Sequence, residues 1–380
     1  VRAIETLNIL HLEKILMSHF TVLVIGEKPE VSLAPYHKFE CTGVDDQYVQ
    51  DIDITEEART DYESQTATRL RDGSGAIHNP FDERGEWRTE FSREDGEGFM
   101  RRRKLFVPAG YEEVEVPRKD VETFAKFVSD NYGYTPIALS SGNVLTAVST
   151  ILKEEHKYGY ALADENGTIT KVVRRSNPAK KWDWYMLGGR WNGFFRLKAG
   201  AASGTISEPS WTAQYGGACA DTGQADQARK RDIDFEAMRN EAGEKARTQW
   251  EAAHRITGSQ VWESWKSVRE RIVKIDEART FYHYQPAIKA FRESKDDRFT
   301  HPFAELDEFL LPSSVFVQQA RDGAVSTWAI VHDGQWIEKT AMGWWGMSAE
   351  VDQTEWDRKH TELIDSLPDD TLLSVYDCHI

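Results

Sequence analysis

Two stretches decide the fold: HFTVLVIG at residues 19–26 and TLLSVYDCH at residues 371–379. Each is a short run rich in β-branched and apolar residues, the first stopped by Gly26, and each reads as a buried strand. A strand has to pair its backbone N–H and C=O groups with a neighbour. The two ends of the chain are therefore expected to share one sheet, mixed or antiparallel, and everything between them is expected to leave that sheet and return to it.

The intervening chain changes character as it goes. Glu112 to Val116 alternates and ends at Pro117, as an edge strand would. Val121, Phe124, Ala125 and Val128 follow helical spacing, with Gly133 suited to the C-terminal cap. Runs 158–163 and 168–174 flank Asp164-Glu165-Asn166-Gly167, a hairpin signal. Residues 71–104 and 199–232 lack apolar periodicity and read as long excursions, functional or mobile. Phe235, Met238, Ala242 and Ala246 mark one helical stripe and Trp262, Trp265, Val268 and Ile272 another, with Pro286 expected to start a new segment. Strands return at 327–332 and 335–339 around Asp333-Gly334, followed by a helix carrying Trp356, Leu363, Ile364 and Leu367. The expected class is α+β. Its parts are 17–198 with the first hairpin, a loop at 199–232, a helical insertion at 233–325, and a hairpin, helix and final strand at 326–380.

The chain has 380 residues and a net charge of −16, with 13 Trp and three Cys. Such an acidic balance argues against general nucleic-acid binding, which needs a basic footprint. No apolar run is long enough to cross a membrane. Cys41, Cys219 and Cys378 form no CxxC pair, which points to a reducing, cytoplasmic setting rather than a disulfide framework. The first 16 residues, VRAIETLNILHLEKIL, are broken by Glu5, Glu13 and Lys14 and do not resemble an export signal. Met17, immediately before the first strand, is the expected start.

Chemistry concentrates in two places. The segment KKWDWYMLGGRWNG at 180–193 packs Trp182, Trp184, Tyr185, Gly188, Gly189, Arg190 and Trp191 together. Glycines allow a backbone to approach a ligand, Trp faces stack on planar groups, and Arg190 offers a fork for an anion. The competing reading is a tight turn whose aromatics fill the core. Trp344 and Trp345, in GWWG, echo the pattern and could line the same pocket or plug the core.

The second place is the C-terminus. Strand alternation puts Asp377 and His379 on one face and Cys378 on the other. With His19 on a neighbouring strand, Asp377 and His379 could bind a divalent metal or form an acid–base pair; the competing reading is an ordinary strand end. A nucleophilic Cys378 served by His379 is disfavoured because adjacent strand residues point apart. Asp51 and Asp53 form a D-x-D pair that lacks the accompanying calcium-loop glycine. The basic run Arg101 to Lys104 is expected to pair with the acidic residues before it.

From Met17 onward the chain resembles a family of proteins carried by phages and prophage-bearing bacteria. The resemblance rests on MSHFTVLVIG (17–26), LAPYHKFECTG (33–43), KWDWYMLGGRWNGFF (181–195), GWWG (343–346) and DCHI (377–380). It implies a phage-type accessory protein in the bacterial cytoplasm but no catalytic residue. Two functional expectations follow. One is a non-catalytic binder of a host protein or small, anionic ligand through the Trp/Gly/Arg segment. The other is a metal-dependent hydrolase or transferase using Asp377 and His379.

Overall fold

The two end strands lie side by side. In the computed structural model, which describes residues 19–82, 84–96, 101–138, 156–207, 223–258, 260–301, 305–339 and 353–380, His19–Ile25 runs antiparallel to Leu372–His379. His19 stands opposite His379 and Ile25 opposite Leu373. The expected Met17 start, residues 1–16 and the GWWG motif with Trp344 and Trp345 lie outside the described residues.

The chain divides into two compact units, one built from residues up to His37 together with Lys180–Ile380, the other from Lys38–Ala179. The first unit holds a six-stranded mixed sheet. Ala329–His332 lies parallel to His19–Ile25 on one side and continues into the hairpin with Gln335–Glu338. On the other side the last strand pairs antiparallel with both Trp184–Leu187 and Gln227–Arg229. The sheet is thus assembled from five separate parts of the sequence.

Alternation gives the sheet two different faces. Phe20, Val22, Val24, Tyr376 and Cys378 pack with Leu33, Tyr36 and Trp182 on one side. Leu23, Ile25, Leu373 and Val375 face the other way, against Trp356, Ile364 and Leu367 from the helix Gln353–Ser366 and its following turn. The helical segment 235–323 has a core of its own around Trp262, Tyr282, Ile288, Phe291, Phe299 and Phe309. Its first helix, Phe235–Thr257, starts where Asp234 accepts the Ala237 N–H at 3.0 Å, and ends at Gly258 in the left-handed region. Pro286 starts a new helix, Pro286–Glu293, where its missing N–H costs nothing.

In the second unit a four-stranded sheet runs in the order Gln50–Asp53, Ile169–Ser176, Gly159–Ala163, Pro136–Ala138. The helices Thr55–Ser64 and Phe124–Tyr132 contribute Ala58, Phe127 and Val128 to its core. A separate three-stranded sheet joins Ile77–His78, Thr66–Asp72 and Tyr111–Pro117.

Several local expectations change. The excursion 71–104 contains a β-ribbon, Ser92–Asp95 with Arg102–Leu105, in which Lys104 pairs with Asp95 and Arg101 with Glu94. Charge pairing across strands replaces apolar periodicity there, so a hydropathy reading passes over it. The excursion 199–232 likewise includes Gln227–Arg229, which enters the main sheet. The hairpin at 333–334 has both central residues at positive φ, 49° for Asp333 and 71° for Gly334. The one at 164–167 has only Gly167 positive, and is instead held by the Asp164 carboxylate accepting the Asn166 and Thr168 N–H groups.

Candidate active site

The helix-covered face of the main sheet turns polar toward one end. Apolar Leu23, Ile25, Leu373 and Val375 give way, on the same face, to Thr21, His19, Asp377 and His379. Trp184 is registered opposite His379 and Met186 opposite Asp377 on the outer strand. Period-2 alternation alone brings these residues to one surface; antiparallel pairing brings them to the same end of it.

Two carboxylate–imidazole pairs form there. His19 Nδ1 lies 2.8 Å from Asp377 Oδ1, and His379 Nδ1 lies 2.7 Å from Asp183 Oδ1. Against an ionised carboxylate, Nδ1 carries the proton and donates. In a neutral ring that fixes the tautomer and leaves Nε2 with its lone pair. Among the described residues no hydrogen bond reaches either Nε2. The two rings approach to 4.8 Å between centroids at 71°, and Trp184 presents an edge to His19 at 5.9 Å.

Asp377 is 1% exposed, so its charge must be compensated locally. Its second oxygen, Oδ2, accepts the backbone N–H of Arg190 at 3.0 Å. Gly189 makes room for it: a Cβ on Gly189 would sit 2.4 Å from the Asp377 Cβ, and its φ of +53° already favours glycine. Gly188 does the same for another carboxylate, Asp226, whose Cγ lies 2.4 Å from where a Gly188 Cβ would be. Asp226 is fully buried and accepts the N–H groups of Gly193, Phe194 and Ser207, the Ser207 hydroxyl and the Asn192 side chain.

The Gly-Gly step is therefore required by two buried aspartates inside the protein. Trp182 is likewise internal: it is buried, and its Nε1–H donates to the Leu33 carbonyl at 3.0 Å. Tyr185 packs on the same face as Trp182 and Tyr376. Arg190 contributes its backbone N–H, and its Nε is buried with no hydrogen-bond partner among the described residues. Of the large apolar side chains in the expected binding segment, Trp184 and, beside it, Met186 stand substantially exposed, at 44% and 37%. Trp191 borders a cavity of about 300 Å³ next to His19, together with Thr21, Trp328, Trp356 and Asp357.

The three-ligand metal set of His19, Asp377 and His379 is not formed. Asp377 is engaged by His19 and Arg190, and among the described residues no group of three or more His, Cys, Asp or Glu is arranged to hold a metal ion. Cys378 points to the opposite face, fully buried, and burial followed by the charge of Asp377 pushes its thiol well above the ordinary range. That state is unreactive. Asp53 of the D-x-D pair caps Thr55, whose hydroxyl and N–H hold its carboxyl below the usual range, while Asp51 pairs with Arg175.

Sequence reasoning did not single out Asp183 and Asp226. Asp183 lies inside the quoted KWDWYM run, but nothing local distinguishes it from a solvated Asp. Its role depends on the last strand arriving alongside, where the His379 carbonyl also accepts the Asp183 N–H at 2.9 Å. Comparison with protein-family models, with curated proteins and with solved structures finds no match to this chain.

Proposed function

We propose that the protein is a hydrolase or transferase that works by proton transfer through His19 and His379. The observation that supports this is the paired arrangement: two imidazoles 4.8 Å apart, each with Nδ1 committed to a carboxylate. Such an arrangement supplies a base and an acid at once. One neutral Nε2 takes the proton of an attacking hydroxyl or water, and the other imidazole, protonated, delivers a proton to the departing atom. Asp377 and Asp183 hold the rings in the correct tautomer and stabilise the imidazolium that forms. The cavity beside His19 and the exposed Trp184 are where a substrate would lie. No step requires a metal.

The test is a screen of the full chain against p-nitrophenyl esters of carboxylic, phosphoric monoester and phosphodiester type, followed by His19→Gln, His379→Gln and Asp377→Asn. Each His variant is expected to lose about 10²–10⁴-fold in turnover, with a bell-shaped pH profile in the wild type. Retained turnover in both His variants, or a wild type inert on every ester, removes the proposal.

A second reading keeps the phage-type accessory binder of a host protein or small ligand. The exposed Trp184 and Met186 on the outer strand support it. A wild type inert on every ester that nevertheless captures a partner, with capture abolished by Trp184→Ala, would favour this second reading.

A further inference from the structure

The unit of residues 38–179 carries a cavity of its own, about 750 Å³ in volume. Its walls include Arg69, Arg118, Glu122, Phe81 and Trp87. Nothing in the His19/His379 site bears on it.

Two of its guanidinium groups are incompletely partnered. Arg118 Nη1 donates to Glu122 Oε1 at 2.9 Å, yet the Arg118 Nε is buried without a partner among the described residues. Arg69 donates Nη1 only to the Thr68 carbonyl at 2.9 Å, and among the described residues it forms no ion pair. Burial lowers the Arg69 pKa; attraction to Glu122 and Glu115 offsets this in part, and repulsion from Arg118 adds to it. Arg118 thus has one ion pair, to the buried Glu122 carboxylate, and Arg69 has none among the described residues, which leaves the Arg118 Nε–H unmet and the Arg69 guanidinium without a salt bridge in a partly desolvated place. The rest of the wall carries both signs: Lys126 pairs with Asp130 at 2.7 Å, Asp82 Oδ1 accepts the N–H groups of Arg84 and Glu86, and the Arg84 and Glu113 side chains also line it.

The rim is aromatic. Phe81 and Trp87 face each other across a β-bridge, with ring centroids 4.2 Å apart and planes inclined at 35°. Arg88 Nε donates to the Phe81 carbonyl at 3.3 Å, which braces the same turn. The outcome is a braced aromatic platform beside two guanidinium groups with donors to spare.

We propose that this cavity binds a phosphate-bearing ligand of the mononucleotide class, with the phosphate between Arg69 and Arg118 and the base against Phe81 and Trp87. A phosphate monoester carries a charge of about −1.5 to −2 and several acceptor oxygens, which suits two guanidinium forks better than a single carboxylate does. The aromatic platform selects a planar group over a sugar phosphate alone. The cavity volume lies within the range of small-molecule sites. The overall acidity of the chain does not oppose this, since the match is local.

The experiment is calorimetric titration of the full chain with AMP, adenosine and inorganic phosphate at low salt. AMP is expected to bind at least about tenfold more tightly than either fragment, and to weaken as salt rises. Arg69→Gln should weaken AMP and phosphate alike by about tenfold or more, whereas Trp87→Ala should weaken AMP and leave phosphate unchanged. AMP binding no tighter than adenosine, or AMP affinity unaltered in both variants, overturns the proposal, as does the absence of any AMP binding. If a variant fails to fold by circular dichroism, phenylglyoxal labelling of the wild type replaces it. AMP should then protect Arg69 and Arg118 in peptide mass spectrometry, and equal labelling with and without AMP overturns the proposal.

Discussion

The Asp377 side chain occupies the space that a Cβ on Gly189 would need, 2.4 Å away, and takes the N–H of the next residue, Arg190, at 3.0 Å. The same carboxylate orients His19. A glycine in the loop following the outer strand and a histidine at the start of the first strand are thereby coupled through one buried charge.

Gly189→Ala is expected to destabilise the fold by about 2–4 kcal/mol, combining a strained positive φ with a steric clash against a buried side chain. Urea denaturation measures the loss. Because Asp377 must shift, the Nδ1–H resonance of His19 should also move or vanish in the NMR spectrum; an unchanged resonance would refute the coupling.

Asp226 anchors the turn that carries Gly188 to Phe194. Asp226→Ala leaves the Gly193, Phe194 and Ser207 N–H groups buried without an acceptor, and is expected to cost roughly 3–5 kcal/mol. Asp226→Asn should fall between, since it keeps one acceptor oxygen. A melting temperature equal to wild type for the Ala variant would contradict this account.

His360 is 1% exposed, and its Nε2 accepts the Thr327 N–H at 3.2 Å. Burial pulls its pKa down to about 4 from the ordinary 6.5. Between those values the unfolded chain binds the proton and the folded chain does not. The stabilising contribution is therefore complete above the unfolded value and is lost as pH falls toward 4, by about 3 kcal/mol in all. Asp357, on the same helix, is pushed up by burial and acts in the opposite sense, losing stability as pH rises through its folded value. Comparing wild type with His360→Gln cancels that contribution. The wild-type midpoint minus that of the variant should rise with pH between about 4.5 and 6.5.

Cys41 is exposed and Cys378 is buried with a raised thiol pKa. Iodoacetamide labelling of the folded chain, resolved by peptide, should modify Cys41 within minutes and Cys378 only after denaturation. Equal labelling of both in the folded state would place Cys378 elsewhere.

Much of the architecture was legible in residue order. The end strands share a sheet, the class is mixed α and β, and the segment 235–323 is helical, because apolar spacing and Gly or Pro punctuation act over a few residues. Alternation likewise put Asp377 and His379 on one face and Cys378 on the other. The ribbon at 92–105 was missed because its stability comes from cross-strand charge pairs, which leave no apolar pattern. The composition of the Trp/Gly/Arg segment suits a binding surface and a packed turn alike; the tertiary structure puts Trp182 in the core and sets both glycines against aspartates 38 or more positions away in sequence.

What the sequence determined by itself is local: which segments are strands or helices, where they stop, and which residues of one strand share a face. What only the tertiary structure decided is pairing across distance. His19 meets Asp377 across 358 positions and His379 meets Asp183 across 196, through a register set by the antiparallel sheet. Short-range propensity determines how a segment folds. Which imidazole finds which carboxylate depends on the order in which strands from opposite ends of the chain close their hydrogen bonds, and no single segment contains that information.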